Sequence, residues 1–222
     1  LGVAWRERTV GVDRAITTVA CEMPFLPAKR VIEELTGIDV SDQTVREVAE
    51  AAGREAMAML DADVEAAKTA KLEPAGGVLD WRKVKLPFLY VGPDGSMVPV
   101  RPEDRPEQKA TDERPGTHRE AKAAVIFWGA DLVNVSEKRR EILKKTYVAT
   151  MGGVDDFRDR VWAGVLAVAG DRRFQPVVLG DGADWITNLT DELFPDAIHI
   201  VDFYHVMERI HEVARLLHGR SS

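Results

Sequence analysis

The last third of the chain alternates between short apolar runs and helical patterns. Two of these runs end on a carboxylate, at residues 177–181 and 198–202, and each passes directly into a helical pattern. A further helical face precedes them, near Val161. Strands that alternate with helices favour a parallel arrangement, which brings Asp181 and Asp202 to one edge of a sheet.

A third apolar run, at residues 86–91, leads to the carboxylate of Asp94. Pro93 and Gly95 flank this residue, and both favour a turn, because Pro sets φ and Gly permits a positive φ. Taken alone, Asp94 is therefore predicted to lie in a turn, with a second short strand over residues 97–100. The alternative is that Asp94 joins the two later acids at the same edge of the sheet.

Two more strands are predicted in the middle of the chain. Residues 123–128 form a near-continuous apolar run, which suits a buried central strand. Residues 146–151 predict a further strand. Residues 101–117 contain three prolines and nearly balanced charges, so they predict a long solvated loop at the end of a hairpin.

Residues 27–77 predict a small helical unit followed by its linker. Pro27 suits the first position of a helix that ends at Gly37. Ser41 is the predicted N-cap of a second helix, which Gly53 is expected to end or loosen. A helix, a glycine-containing turn and a Ser-capped helix form the outline of a helix-turn-helix.

In a helix-turn-helix, Gln43, Thr44 and Arg46 would lie towards the groove of DNA. The second helix also carries acids, among them Asp42 and Glu47, and many helical hairpins share the same outline. DNA binding by this unit and a plain helical hairpin are therefore both open on the residues alone.

Composition restricts the class of protein and its compartment. The 222 residues are 45% hydrophobic and 30% charged, and no apolar run approaches the roughly eighteen residues of a membrane span. Cys21 is the single cysteine, so the chain by itself forms no disulfide and no cysteine zinc site. We therefore expect a cytoplasmic protein with no membrane partner.

The net charge of −7 argues against nucleic acid as a partner, but the charges are unevenly distributed. Residues 180–196 contain five acids and no base, which is typical of a cation site. Residues 136–145 are basic instead. The candidates for phosphate contact in that segment are Lys138, Arg139, Arg140, Lys144 and Lys145.

The predicted fold class is α/β, with three antiparallel strands, a helix, and then strand, helix, strand and helix. This is the element order of a ribonuclease H-like domain, a mixed sheet with flanking helices that places carboxylates near neighbouring strand ends. Phosphodiester cleavage or strand transfer suits such a site, since two Mg²⁺ ions about 3.5–4 Å apart serve both ends of an in-line displacement. Asp94 and Asp181 are the candidate ligands, because Mg²⁺ prefers oxygen donors.

Three segments near the C-terminal end carry a resemblance to a known family. Residues 180–186 read Gly-Asp-Gly-Ala-Asp-Trp-Ile, residues 193–197 read Leu-Phe-Pro-Asp-Ala, and residues 201–205 read Val-Asp-Phe-Tyr-His. These segments resemble insertion-sequence transposases of the ISKra type, which are DDE enzymes related to the Mutator-like group. The segment around Asp94 and the helical hairpin over residues 27–53 resemble the same proteins in the expected chain order.

The resemblance implies a ribonuclease H-like catalytic domain that cuts and joins DNA at transposon ends with Mg²⁺ or Mn²⁺. By motif, Asp94 matches the first catalytic acid and Asp181 the second, and both are the implied metal ligands. Asp202 and His205 match the Asp-x-x-His signature and are assigned as supporting residues. The implied partners are the transposon ends, the target DNA and, for the full-length protein, further copies of the chain, in a bacterial cytoplasm at the nucleoid.

The third acid of that family, a Glu on a late helix, has no counterpart in this sequence. The chain begins at Leu1 and ends at Ser222 directly after a helical pattern, so both ends look cut. We therefore predict an incomplete N-terminal segment over residues 1–26, a helical DNA-binding-like unit and linker over 27–77, and a ribonuclease H-like domain, incomplete at its C-terminus, over 78–222. Such a chain alone is expected to be catalytically inactive.

Two other classes of protein stay open. A helix-turn-helix joined to an incomplete catalytic domain would act as a non-catalytic DNA-binding remnant or regulator, and its acids would hold a structural Mg²⁺. The other class is a ribonuclease H-like nuclease that acts on Holliday junctions or is directed by RNA. The sequence of residues 180–185 argues against that second class.

Overall fold

The structure, a computed structural model, describes residues 8–69, 86–101, 118–137 and 139–218. The chain divides into two compact units, Leu1–Asp63 and Val64–Ser222. The predicted linker over residues 71–77, and all but the first residue of the predicted loop over 101–117, lie outside the described residues.

Helices form the described part of the first unit. They are α1 (Val10–Glu22), α2 (Phe25–Thr36) and α3 (Asp42–Thr69), whose last turns belong to the second unit. The helix α1 was not predicted, since its segment was expected to be incomplete. It is capped by Thr9, whose side chain accepts the N–H of Val12.

Both predicted ends of the α2–α3 connection are confirmed. Gly37 ends α2 with φ at 69°, a left-handed conformation that suits glycine, and its N–H donates to the carbonyl of Glu33. Ser41 caps α3, because its Oγ accepts the N–H of Thr44 at 2.9 Å. The prediction that Gly53 ends this helix is wrong, since α3 continues to Thr69. One glycine costs only about 1 kcal/mol in a helix interior, which the helix formers around it offset.

A buried apolar cluster joins the three helices. It contains Ile16 from α1, Ala28 and Ile32 from α2, and Val45 and Val48 from α3. The first unit therefore has a hydrophobic core of its own.

Seven strands lie in the described part of the second unit. They are β1 (Phe88–Pro99), β2 (His118–Trp128), β3 (Leu132–Ser136), β4 (Arg139–Ile142), β5 (Thr146–Thr150), β6 (Gln175–Gly180) and β7 (Ile198–Val201). Five of them form one sheet in the order β5-β2-β1-β6-β7, and β3 pairs with β4 in a separate hairpin. In the sheet, β2 is antiparallel to β1 and β5, whereas β6 is parallel to β1 and β7. The sheet is therefore mixed, and its parallel half carries the two later acids.

The predicted turn at Asp94 is wrong. The strand β1 runs through this position without a break, and Asp94 and Gly95 pair with Ala123 and Lys122 of β2. The two short strands predicted over residues 86–91 and 97–100 are thus one strand. Local turn propensity is overridden because the long partner strand β2 supplies antiparallel pairing along the whole segment.

The hairpin of β3 and β4 was not predicted. It lies between β2 and β5 in the chain, and it contains Arg139 and Arg140 on β4. Its strands are mostly exposed and lack the alternation of a half-buried strand, so the sequence carries little signal for them.

Three more helices follow the strands of the second unit: α4 (Val154–Ala169), α5 (Asp184–Leu193) and α6 (Phe203–His218). The helical pattern predicted to follow the apolar run at residues 177–181 is confirmed as α5. The helices α4 and α5 bury one face of the sheet, where Phe157 and Ile186 pack into the cluster of Val91, Ile126 and Val148. The acid-bearing ends of the parallel strands are therefore anchored to this core from one face.

The last helix is different. Its apolar side chains Phe203, Ile210 and Leu217 are each more than half exposed. None of the described helices is long and apolar enough to cross a membrane. The described chain is thus a mixed α/β protein with helices that flank a five-stranded sheet, in agreement with the predicted class.

Candidate functional site

The register of the parallel strands places Asp94 and Asp181 at the same level. Val91 of β1 pairs with Val178 of β6, which is the last pair of that ladder, and each acid lies three residues further along its own strand direction. Gly180 of β6 in turn pairs with Val201 of β7, so Asp181 and Asp202 each come one residue later. Neighbouring strands are about 4.8 Å apart. By this register the three acids form one row at the level where β6 and β7 end, and the pairing of β1 with β6 stops three residues before Asp94.

Asp181 lies in a tight turn between β6 and α5. Its Oδ1 accepts the N–H of Ala183 at 2.8 Å. Between them, Gly182 has φ at 82°, a conformation that an L side chain rarely adopts. Glycine is needed at position 182 because the chain must reverse its direction within two residues, before α5 begins at Asp184.

The helix α5 approaches the end of β6 closely. A Cβ on Gly180 would lie 2.9 Å from the Cγ2 of Ile186, so a larger residue would push the first turn of α5 away. Ile186 is itself buried in the core. Packing thus fixes the turn that carries Asp181.

Asp94 is presented from the middle of β1, beyond the point where the pairing between β1 and β6 stops. Its side chain is exposed, and its Oδ1 accepts the N–H of Gly95 at 2.8 Å. Asp94 and Asp181 are alike in this respect, since each carboxylate has one oxygen held by a local backbone N–H.

Asp202 caps the last helix. Its Oδ1 accepts the N–H of Tyr204 at 2.8 Å, and its Oδ2 lies 3.5 Å from the Nδ1 of His205. Both side chains are nearly half exposed. Asp202 and His205 are therefore brought together in one turn, next to Asp181.

In the described part of the chain, no group of three or more His, Cys, Asp and Glu residues lies close enough to hold a metal ion. The row of acids supplies carboxylate oxygens, the donors that Mg²⁺ prefers, but its members are not gathered around one point.

The predicted DNA-contacting residues of α3 bond within that helix. Gln43 Nε2 donates to Glu47 Oε1 at 2.9 Å, and Arg46 Nε donates to Glu50 Oε1 at 2.7 Å. The hydroxyl of Thr44 lies 2.8 Å from that of Ser41, as part of the cap. The three helices share a core. The side chains of Gln43 and Arg46 are bound by acids on the same face of α3.

The basic segment is placed at the hairpin of β3 and β4. Arg139 and Arg140 are exposed there, with Arg139 paired to Glu141 and Arg140 Nε donating to Asn134 Oδ1 at 3.1 Å. Lys138 lies outside the described residues. Arg139 and Arg140 therefore lie on a two-stranded hairpin that is separate from the five-stranded sheet.

Sequence reasoning missed a group of side chains that surrounds Gly95, the neighbour of Asp94. Lys122 is only 6% exposed, and its ammonium donates to the carboxylate of Glu120. The indole of Trp185 lies beside both Gly95 and Lys122. A charged pair at the start of a strand gives no sequence signal for burial, so only the fold reveals this group.

Comparison of the chain with models of known protein families gave no match, and comparison with curated proteins gave none either.

Proposed function

We propose that the second unit is a ribonuclease H-like domain for metal-dependent phosphoryl transfer on DNA, of the DDE transposase kind. The chain order supports this proposal: three antiparallel sheet strands, then α4, β6, α5, β7 and α6. The hairpin of β3 and β4 is an addition to that order. The first unit is proposed to be the DNA-binding part of the same protein.

The observation that carries the proposal is that Asp94 and Asp181 each follow the paired residues Val91 and Val178 by three positions, on adjacent parallel strands. Taken alone in the sequence, Asp94 was predicted to lie in a turn, and the alternative was that it joins the later acids at one edge of the sheet. A continuous β1 instead runs parallel to β6 up to the pair of Val91 and Val178, so both acids emerge on adjacent strands at one edge. Adjacent acids are what a shared cation requires.

The residues fit Mg²⁺ or Mn²⁺ through their donor chemistry, since both acids offer hard carboxylate oxygens to solvent. A bound divalent ion would lower the pKa of the attacking oxygen nucleophile and neutralise charge on the leaving oxygen. Asp94 and Asp181 would hold such an ion. The turn at Gly182 and the pairing of β1 with β2 would fix the positions from which they do so.

A complete transposase also needs the third acid, which the resemblance does not match to any residue of this sequence. We therefore expect metal binding by this chain without strand transfer. Metal binding is the property to test first, because it depends on the two acids that are matched.

The experiment is a titration of Mn²⁺ into the chain, followed by paramagnetic broadening of NMR signals. Saturable broadening should be centred on the edge of the sheet, and Asp94→Asn and Asp181→Asn should each weaken it at least tenfold. Asp171→Asn is the matched control, an exposed aspartate that precedes β6, and it should leave the affinity unchanged. Absence of saturable binding, or equal weakening by all three changes, would reject a shared metal site.

A second candidate function is DNA binding without catalysis. The separate hydrophobic core of α1, α2 and the start of α3 favours it, because a unit with its own core can serve as a recognition module. Binding of duplex DNA by the whole chain, weakened by Gln43→Ala with Arg46→Ala but unaffected by Asp181→Asn, would assign DNA recognition to α3. Absence of DNA binding would remove this candidate.

A further inference from the structure

We propose that Trp185 is a positioning residue that sets the separation of Asp94 and Asp181. This inference rests on the proposed function, in which those two carboxylates act together. Trp185 lies in the first turn of α5, two residues after Ala183, whose N–H binds the carboxylate of Asp181. It therefore belongs to the same rigid turn as the second acid.

The indole reaches from this turn to the strand that carries the first acid. A Cβ added to Gly95 would lie 3.4 Å from the Cζ2 of Trp185 and 2.8 Å from the Oε1 of Glu120. The ring edge and the carboxylate thus rest against the backbone of Gly95. Asp94 directly precedes Gly95 on the same strand, so the indole packs beside the backbone that carries the first acid.

Two further neighbours, Phe157 and Lys122, contact the indole. Phe157, which is buried in the core, meets it edge-on at a centroid distance of 5.8 Å. The ammonium of Lys122 lies 5.7 Å from the ring centroid, within the range of a cation–π contact. Lys122 is anchored in turn, because its backbone pairs with Gly95 and its side chain binds Glu120. These contacts connect β2, β1, α4 and α5 through one side chain.

The indole of Trp185 contacts the sheet on the face opposite to the side chain of Asp94. Successive residues of a strand point to opposite faces, so Gly95 and Asp94 face different ways. Gly95 faces the side on which Lys122 and the core helices lie. Trp185 is therefore placed to fix the backbone next to Asp94 and the turn that carries Asp181. A ligand bound by the two acids would not touch the indole.

The test compares Trp185→Leu with Trp162→Leu. Trp162 is a matched control, because it is a half-buried tryptophan in the same core that packs on Phe194, with ring centroids 6.2 Å apart. Each change removes a similar amount of aromatic packing. Only Trp185→Leu removes the contact with Gly95. Circular dichroism and urea unfolding establish that both variants are folded at the temperature of measurement.

The first readout is the spacing of the two acid positions. Nitroxide labels are placed at 94 and 181 through Asp94→Cys and Asp181→Cys, with Cys21→Ser to remove the exposed native thiol. Dipolar broadening in the electron spin resonance spectrum then reports the distance between the labels. Trp185→Leu should widen the distance distribution, Trp185→Phe should largely restore it, and Trp162→Leu should leave it as in the parent. Equal distributions for both leucine variants would overturn the inference.

The second readout is the affinity for Mn²⁺ in the chain with its native acids. Trp185→Leu should weaken binding about tenfold or more, as is typical when an outer partner of a metal ligand is lost, and Trp162→Leu should not. Loss of binding in Asp181→Asn tests the proposed function separately. If the parent binds no Mn²⁺, the proposed function fails, while the label distances still decide whether Trp185 sets the spacing.

Discussion

The backbone N–H of Asp202 donates to the carbonyl oxygen of Gly180 at 2.8 Å. This bond continues the pairing of β6 and β7 one residue past the end of β7, so it holds Asp202 against the residue that precedes Asp181. Asp202 also begins α6, since its carbonyl accepts the N–H of Val206 at 3.1 Å. A single residue therefore joins the row of acids to the start of the last helix, which explains why the Asp-x-x-His segment lies beside the candidate site.

The turn at Gly182 gives a prediction that separates backbone strain from function. Gly182→Ala and Gly170→Ala should each lower the free energy of unfolding by roughly 1–2 kcal/mol, because both glycines have positive φ, at 82° and 54°. Only Gly182→Ala should also weaken Mn²⁺ binding, since it distorts the turn that carries Asp181. Urea unfolding and Mn²⁺ titration measure the two effects. The same Mn²⁺ affinity in both variants would contradict a role of this turn in metal binding.

The contact of α4 with the sheet gives a prediction about packing. A Cβ on Gly164 would lie 2.8 Å from side-chain atoms of Ile126 and of Val148, so Gly164→Ala should destabilise the second unit by about 1–3 kcal/mol. Gly53→Ala should have the opposite sign, about 0.5–1 kcal/mol of stabilisation, because nothing lies within 4 Å and alanine favours the helix. Urea unfolding measures both. Stabilisation by Gly164→Ala would show that α4 has room to move outward.

The carboxylate of Asp156 gives a prediction about pH. Burial acts to raise its pKa, but the hydrogen bonds from Thr150 and Arg160, together with the charge of Arg160, outweigh burial and lower the pKa below 3.8. The charged form is thus favoured by folding, so its stabilisation is present above the ordinary pKa and is lost as the pH falls through the lowered one.

Asp156→Asn should therefore lower the free energy of unfolding at pH 7, by about 1 kcal/mol after allowance for the partly exposed side chain. The difference from the parent should shrink below about pH 4. Urea unfolding between pH 3 and pH 7 measures it, with the exposed Asp171→Asn as a control that should show little effect at any pH. A difference that stays constant with pH would mean that the charge of Asp156 is not involved.

The hairpin of β3 and β4 gives a prediction about DNA. If Arg139 and Arg140 each neutralise a phosphate, changing both to Gln should reduce the slope of log affinity against log salt by about 0.9 for each contact. Arg173→Gln, an exposed change just before β6, is the control and should keep the parent slope. Binding of a duplex of arbitrary sequence at several salt concentrations measures the slopes. The parent slope in the double variant would exclude the hairpin from the DNA path.

Much of the fold could be predicted from local pattern. The helix over residues 184–193, the strands before it and after it, and the caps at Gly37 and Ser41 were all expected, and the structure has them. Each depends on residues within a few positions, such as a glycine in the left-handed region or a serine that meets an unpaired N–H. The hairpin of β3 and β4 and the helix α1 lacked comparably clear patterns.

The sequence by itself determined which acids are candidates for the site, the apolar runs that precede Asp181 and Asp202, and the helix caps at Gly37 and Ser41. Only the tertiary structure decided the place of Asp94. Its sequence neighbours favour a turn, but pairing with β2 places it in the middle of a strand. The group of Lys122, Glu120 and Trp185 likewise depends on contacts between distant parts of the chain. The physical reason is that caps and turns are satisfied by near neighbours, whereas strand register and side-chain burial are set by partners that no local pattern specifies.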